Sequence, residues 1–217
     1  MHTVRPIMLD ERLGAVAALF QHCRMGADIG ADHGKLSAWL LQEARCQYML
    51  VSDISASSLE KARRLIDQSG LSDRALFQTA DGFDAIKEPV NCVAVCGLGS
   101  RTICSMIRRK PELPGHPALI LSAHTEIPLL RKTLFISGYD IEREVLVRCN
   151  GRFYIIIKAI WGEAHITEKE LFIGKNMNAQ DTSLLVAYYR WLLILEEKKQ
   201  KKDVLRIEWL KEELNLA

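Results

Sequence analysis

The sequence predicts an α/β fold: a mostly parallel sheet wound with helices on both faces, followed by a small helical appendage. Three observations predict it. Apolar strand-like runs alternate with amphipathic helical stretches from about residue 25 to residue 138. Asn150-Gly151 separates two long β-rich runs, a strong hairpin signal that adds antiparallel strands at one edge. From Asp181 onward the alternation gives way to a helical stripe. The 217 residues, 48% of them hydrophobic and 26% charged, suit one globular core with a modest extension.

The elements follow in order. Residues 9–20, "LDERLGAVAALF", space Leu9, Leu13, Val16, Ala17 and Phe20 along one helical face. "GADIGADHGKL" is a short strand and a glycine turn, and "KLSAWLLQEA" continues it as a helix with Leu36, Leu40 and Leu41 on one side. "QYMLVSDI" is a buried strand stopping at Asp53. In the helix "SASSLEKARRLIDQSG", Ser55 suits the N-cap and Gly70 the stop. "ALFQTADG" and "NCVAVCGLGS" are the third and fourth strands, and "RTICSMIRRK" is a helix. The proline-rich "KPELPGHP" is a surface loop. "ALILSAH" is the fifth strand, "EIPLLRKTLFISG" a helix, and the hairpin completes a first domain, residues 1–162. Residues 163–217 form the second. "ITEKELFIGKNM" reads as a connector. The stripe of Leu184, Leu185, Tyr188, Trp191, Leu192 and Leu195, broken by "EEKKQKK" and resumed at Val204, Leu205, Leu210 and Leu214, predicts a helical hairpin turning near 198–202 or one long helix.

Composition excludes some functions. The six cysteines form no C-x-x-C pair and no histidine cluster accompanies them, so no metal site is expected. No stretch reaches the ~18 apolar residues of a membrane span. The N-terminus carries Asp10 and Glu11 and no long apolar run, so no signal peptide is expected. Free thiols in a reducing, cytoplasmic protein are the expectation. A net charge of +2 leaves nucleic-acid binding to the distribution of charge.

In open α/β sheets the ligand lies beyond the carboxyl ends of the strands. Here those ends read Asp28-Ile29-Gly30, Asp53-Ile54, Asp81-Gly82, Gly97-Leu98-Gly99 and Ser122-Ala123-His124. Gly30 allows close approach of a ligand, and Gly34 allows the next helix to pack on the strand. Asp53 lies roughly 20 residues past the first glycine, the spacing at which a carboxylate reaches ribose hydroxyls. Asp81 suits an adenine amino group. Taken singly, Asp53 also fits a helix N-cap and Asp81-Gly82 a plain turn. The argument rests on their order at successive strand ends. Asp32 decides between ligands. A dinucleotide would set its pyrophosphate at this helix N-terminus, where a carboxylate repels it. S-adenosylmethionine has an adenosine, a sulfonium and an ammonium but no phosphate. Asp32 attracts such a ligand, and Asp28 can serve its ammonium end.

The same residues resemble the bacterial tRNA (adenine-22-N1)-methyltransferases. The family's D-I-G-x-D-H-x-x-L turn stands as Asp28 to Leu36, and its S-D-I…L-x-x-A segment as Ser52-Asp53-Ile54 with Leu59 and Ala62. L-x-D-R…D-G-L looks like Leu71-Ser72-Asp73-Arg74 through Asp81-Gly82-Phe83. Leu130-Arg131, the G-Y-x-I-x-x-E segment at Gly138–Glu144 and "LFIGKNM" also fit. The similarity covers nearly the whole chain. Three positions depart from the family pattern: Ser37 replaces a proline, Gly97-Leu98-Gly99-Ser100 replaces G-M-G-G, and Ser122-Ala123-His124 replaces Q-P-N. The last two lie on the acceptor side.

The resemblance implies a Rossmann-like class I methyltransferase sheet with a coiled-coil-like appendage. It implies S-adenosylmethionine as cofactor, tRNA as partner, and a monomer or homodimer. The expected cofactor contacts are Asp28, Ile29, Gly30, Asp32, His33, Asp53, Ile54, Asp81, Gly82, Gly97 and Leu98. Asp32 is the first candidate to stabilise charge developing on the base, with His33 and His124 as further polar contacts. Arg101, Arg108 and Arg109 are candidates for RNA phosphates. A methyltransferase with another acceptor and a non-catalytic donor- or RNA-binding paralogue remain alternatives; a nicotinamide-dependent dehydrogenase comes last.

Overall fold

The computed structural model describes residues 6–179 and 182–216. One sheet organises them. Its strands are β1 (Cys23–Ile29), β2 (Cys46–Asp53), β3 (Ala75–Thr79), β4 (Cys92–Cys96), β5 (Ala118–Ala123), β6 (Tyr139–Cys149), β7 (Arg152–Trp161) and β8 (Met177–Ala179). They run in the order 3-2-1-4-5-7-6-8. Strands 1 to 5 are mutually parallel, and β7 is antiparallel to both β5 and β6. The Asn150-Gly151 turn takes φ values of 49° and 76°, as the two-residue hairpin requires.

Successive side chains point to opposite faces, and the central strands β4 and β5 are buried on both. Val93, Val95, Leu119, Leu121, Ile155 and Ile157 pack on one side. Ala94, Ile120 and Ile156 pack on the other. The second face is covered by α1 (Glu11–Leu19), α2 (Lys35–Gln42) and α3 (Ala56–Gln68); the first by α4 (Ser100–Arg109), α5 (Ile127–Ile136) and the C-terminal helices. Fully burying each of the valine, leucine and isoleucine side chains contributes about 1.5–3 kcal/mol.

The C-terminal segment resolves the choice left by the sequence. Helices α7 (Thr182–Glu197) and α8 (Val204–Leu216) form a hairpin. Asp181, from which the stripe is counted, lies outside the described residues. The predicted connector is more structured than its sequence suggests. It contains α6 (Glu168–Ile173), started by a reciprocal Thr167–Glu170 capping box. It also contains β8, which pairs in parallel with β6 through Glu144↔Met177. The sheet therefore continues past residue 162.

Three motifs far apart in sequence meet beneath this segment. Arg131 and Glu144 are both fully buried, with Arg131 Nε donating to Glu144 Oε1 at 2.7 Å. Arg131 Nη1 donates to the carbonyls of Leu171 and Phe172, and Lys175 N–H donates to Glu144 Oε2 at 2.8 Å. Gly174 is needed there: a Cβ would sit 2.7 Å from Glu144 Oε2. The Leu130-Arg131, Gly138–Glu144 and "LFIGKNM" similarities thus converge on one ion pair that fastens the appendage to the sheet.

Candidate active site at the switch point of the sheet

The chain reverses its winding between β1 and β4, the neighbours at the centre of the sheet. Outside their carboxyl ends lies a cleft of about 520 Å³. All of the expected cofactor contacts line it: Asp28, Ile29, Gly30, Asp32, His33, Asp53, Ile54, Asp81, Gly82, Gly97 and Leu98. Asp10, the N-cap of α1, and Arg12 in its first turn, with Cys96 and Met106, also line it. No local pattern marks these four as site residues. The reach of α1 across the sheet brings Asp10 and Arg12 there.

Asp28 forms part of the cleft and is 2% exposed. Ser37 Oγ donates to its Oδ2 at 2.8 Å, and the Ser37 backbone N–H also bonds the carboxylate. Burial raises Asp28 to about 6, with the Ser37 bonds opposing the rise. Ser37, the departure from the family's proline, is therefore the partner of a buried acid.

The glycine turn is held from both sides. Gly30 and Ala31 N–H both donate to Ser52 O. Asp32 takes φ 48°, and its N–H donates to Asp53 Oδ2 at 3.0 Å. Asp53 Oδ1 accepts from Ser55 N–H at 2.8 Å. Ser55, not Asp53, caps α3, by accepting from Ser58 N–H. Each Asp53 oxygen retains a lone pair for a ligand hydroxyl. Gly34 has a different role from the one expected. A Cβ there would lie 2.7 Å from Ala62 Cβ, so this glycine seats the start of α2 against α3, not against the strand. That contact also accounts for the alanine in the L-x-x-A segment.

Asp32 and His33 pair with each other at the rim, Oδ2 to Nδ1 at 2.6 Å, and both are more than half exposed. Asp81 is held by Arg109 at 2.7 Å, and this guanidinium keeps its carboxyl below the usual range. Cys96 is a poor nucleophile, because burial pushes its thiol up.

Several candidates fall elsewhere. His124 does not line the cleft; its ring is tilted against that of Tyr154 with centroids 5.1 Å apart, and it lines a second cavity. Ser122 and Ala123 are buried, so neither presents a surface to an acceptor base. The three arginines have partners within the chain: Arg101 with Glu126, Arg108 with Thr133 Oγ1 and Arg109 with Asp81. Arg109 pairs with a residue that lines the cleft, and its side chain stays 49% exposed. Among the described residues there is no cluster of His, Cys, Asp or Glu able to hold a metal ion, and no helix long and apolar enough to cross a membrane.

Comparison with known proteins agrees with this geometry. Residues 9–157 match the methyltransferase domain family model. A Mycoplasma pneumoniae protein named "Putative tRNA methyltransferase" is 31% identical over 196 residues, covering 85% of this chain and 89% of its own. The tRNA (adenine(22)-N(1))-methyltransferase of Bacillus subtilis is 25% identical over 159 residues, covering 72% and 67%. The structure of M. capricolum TrmK with S-adenosyl-homocysteine superposes with a TM-score of 0.83 at 22% identity, covering 96% of this chain and 99% of that one. The chain belongs to the methyltransferase domain family and, within it, to the bacterial tRNA methyltransferases represented by the M. pneumoniae relative.

Proposed function

We propose that the protein transfers a methyl group from S-adenosylmethionine to N1 of an unpaired adenine in tRNA, at position 22 by its resemblance to the B. subtilis enzyme. One observation carries the reading. Asp28, Asp32 and Asp53 converge on the switch-point cleft around a glycine turn, which suits a cationic nucleoside and opposes a pyrophosphate. The complex of the M. capricolum relative with the demethylated cofactor supports the choice of ligand.

The donor supplies a methyl group activated on a sulfonium. The chain's own residues bind and orient. With the donor bound, Asp53 would accept from ribose hydroxyls, Asp81 and Gly82 would border the adenine, and ionised Asp28 would serve the ammonium. Adenine N1 attacks through an in-plane lone pair, so no proton has to be removed first. Positioning then accounts for much of the rate. The product ring is cationic, and Asp32, oriented by His33, stabilises the charge as it develops. N1 lies on the pairing edge, so the base must be extruded or already unpaired.

The test is transfer of labelled methyl from S-adenosylmethionine to unmodified bulk bacterial tRNA, followed by nucleoside analysis. N1-methyladenosine is the expected product. Tight donor binding with no transfer to RNA would refute the acceptor and move the search to other substrates.

A further inference from the structure

A second cleft, of about 530 Å³, lies between the carboxyl edge of β5, the start of β7 and the C-terminal hairpin. Its walls carry His124, Phe153, Tyr188 and Trp191. Phe153 lies edge-on to Tyr188 at 5.4 Å and tilted against Trp191 at 5.6 Å, and Tyr188 and Trp191 stack at 5.9 Å. Trp191 remains 41% exposed.

One charged group in this wall is unexplained. Glu196 is 4% exposed. Its Oε1 pairs with Lys199 at 2.5 Å, while Oε2 is buried with no hydrogen-bond partner. A buried acceptor without a donor costs free energy unless a ligand supplies one. Lys199 and Arg206 line the cleft, and Lys198, Lys201 and Lys202 are exposed at the hairpin turn that follows Glu196. Aromatic faces, a single open acceptor and a cationic rim together describe a site for a nucleobase whose backbone is a polyanion.

The second cleft is separate from the methyl-donor cleft. The two share no lining residue. Between them the turns after β4 and β5 are joined: Ser100 Oγ donates to Thr125 O, and Arg101 forms a bidentate pair with Glu126. Tyr154 stands at the same partition, with the Arg12 guanidinium over its ring at 5.6 Å and the His124 ring tilted against it.

We infer that this cleft binds a second unpaired base of the RNA, one bearing an exocyclic amine, beside the base that receives the methyl group. The amine donates to Glu196 Oε2 and the ring stacks on Trp191. An RNA lying along the carboxyl edge of the sheet then occupies both clefts, and the second sets which adenine reaches the first. The inference rests on the RNA-methyltransferase reading.

The experiment combines kinetics with a readout independent of catalysis. Trp191→Ala raises KM for unmodified tRNA at least about fivefold, the scale of one lost base–aromatic stack. It leaves kcat, the donor Kd and the far-ultraviolet circular dichroism spectrum unchanged, and Trp191→Phe restores KM. Glu196→Leu removes the wild-type preference for short oligoadenylate and oligocytidylate over oligouridylate in a binding titration. Ultraviolet crosslinking of wild-type protein to tRNA places a nucleotide on the peptide spanning residues 182–197. Unchanged KM and oligonucleotide affinity in both variants, or crosslinks confined to other peptides, would overturn the inference. So would a Trp191→Ala protein that differs only in losing self-association. If wild-type protein binds donor but methylates no RNA, the enzymatic reading fails, and the crosslink and oligonucleotide titrations still decide whether the cleft takes a base.

Discussion

Asp28→Asn separates the stability of the fold from the needs of the site. Burial displaces Asp28 from an ordinary 3.8 to about 6, so the folded protein takes up a proton that the unfolded chain has lost over this interval. The sign follows. Relative to an ordinary aspartate, the native state suffers no penalty below the unfolded value and loses stability as pH rises through about 6. At pH 8 the displacement corresponds to ~3 kcal/mol; at pH 5 it falls to about half, at pH 4 to about a sixth, and by about pH 3 it vanishes. Asparagine cannot ionise, yet its carbonyl can still accept from Ser37. Asp28→Asn is therefore expected to be more stable than wild type at pH 8 by up to ~3 kcal/mol, raising Tm by roughly 2–4 °C for each. The gain should shrink steadily towards pH 4. The same variant should bind S-adenosylmethionine at least about tenfold more weakly at pH 8, since the carboxylate facing the ammonium is gone. Wild-type affinity should itself fall about tenfold between pH 8 and pH 5 as Asp28 takes up a proton. Urea titrations at four pH values and calorimetric titration of the donor read both halves. A variant no more stable at pH 8, or a stability difference that does not depend on pH, would refute the account of Asp28 as a buried ion tolerated for binding.

Three further outcomes are expected. Ser37→Ala removes a bond that favours ionised Asp28, so the pH at which donor affinity is lost should move upward; a downward move would contradict the assignment. Glu144→Gln strands the Arg131 guanidinium in a fully buried site and should cost about 3–5 kcal/mol, whereas Arg131→Met with Glu144→Leu should cost less than either single change. Limited proteolysis should then cut first near residues 163–176, and a double-mutant cycle showing no coupling would disprove the pairing. Asp32→Asn keeps a residue type that tolerates φ 48° and should lower kcat at least about tenfold with the donor Kd within about threefold; unchanged turnover would remove Asp32 from its charge-stabilising role.

The sequence by itself determined the parallel α/β core, the Asn150-Gly151 hairpin and the carboxylates and glycines at the ends of β1 to β4. Each is a local consequence: strand period, turn chemistry, and a fixed spacing that places the first residue after each strand at the same edge. Only the tertiary structure decided the remainder. Arg12 enters the cleft because α1 lies across the sheet, and no local pattern encodes that crossing. Strand β8 is three residues long, too short to show a period, and its place depends on Lys175 meeting Glu144, 31 positions earlier. The helical stripe read equally well as one rod or two; the hairpin is stabilised by Tyr188, Tyr189 and Leu210 closing on the same core. His124 ends the strand that sequence order predicts, yet faces the other cleft, because Tyr154 of a neighbouring strand receives its ring. Periodicity specifies which face of an element is buried. Which distant element covers that face depends on long-range packing, and that packing set His124 and the C-terminal hairpin around the second cleft.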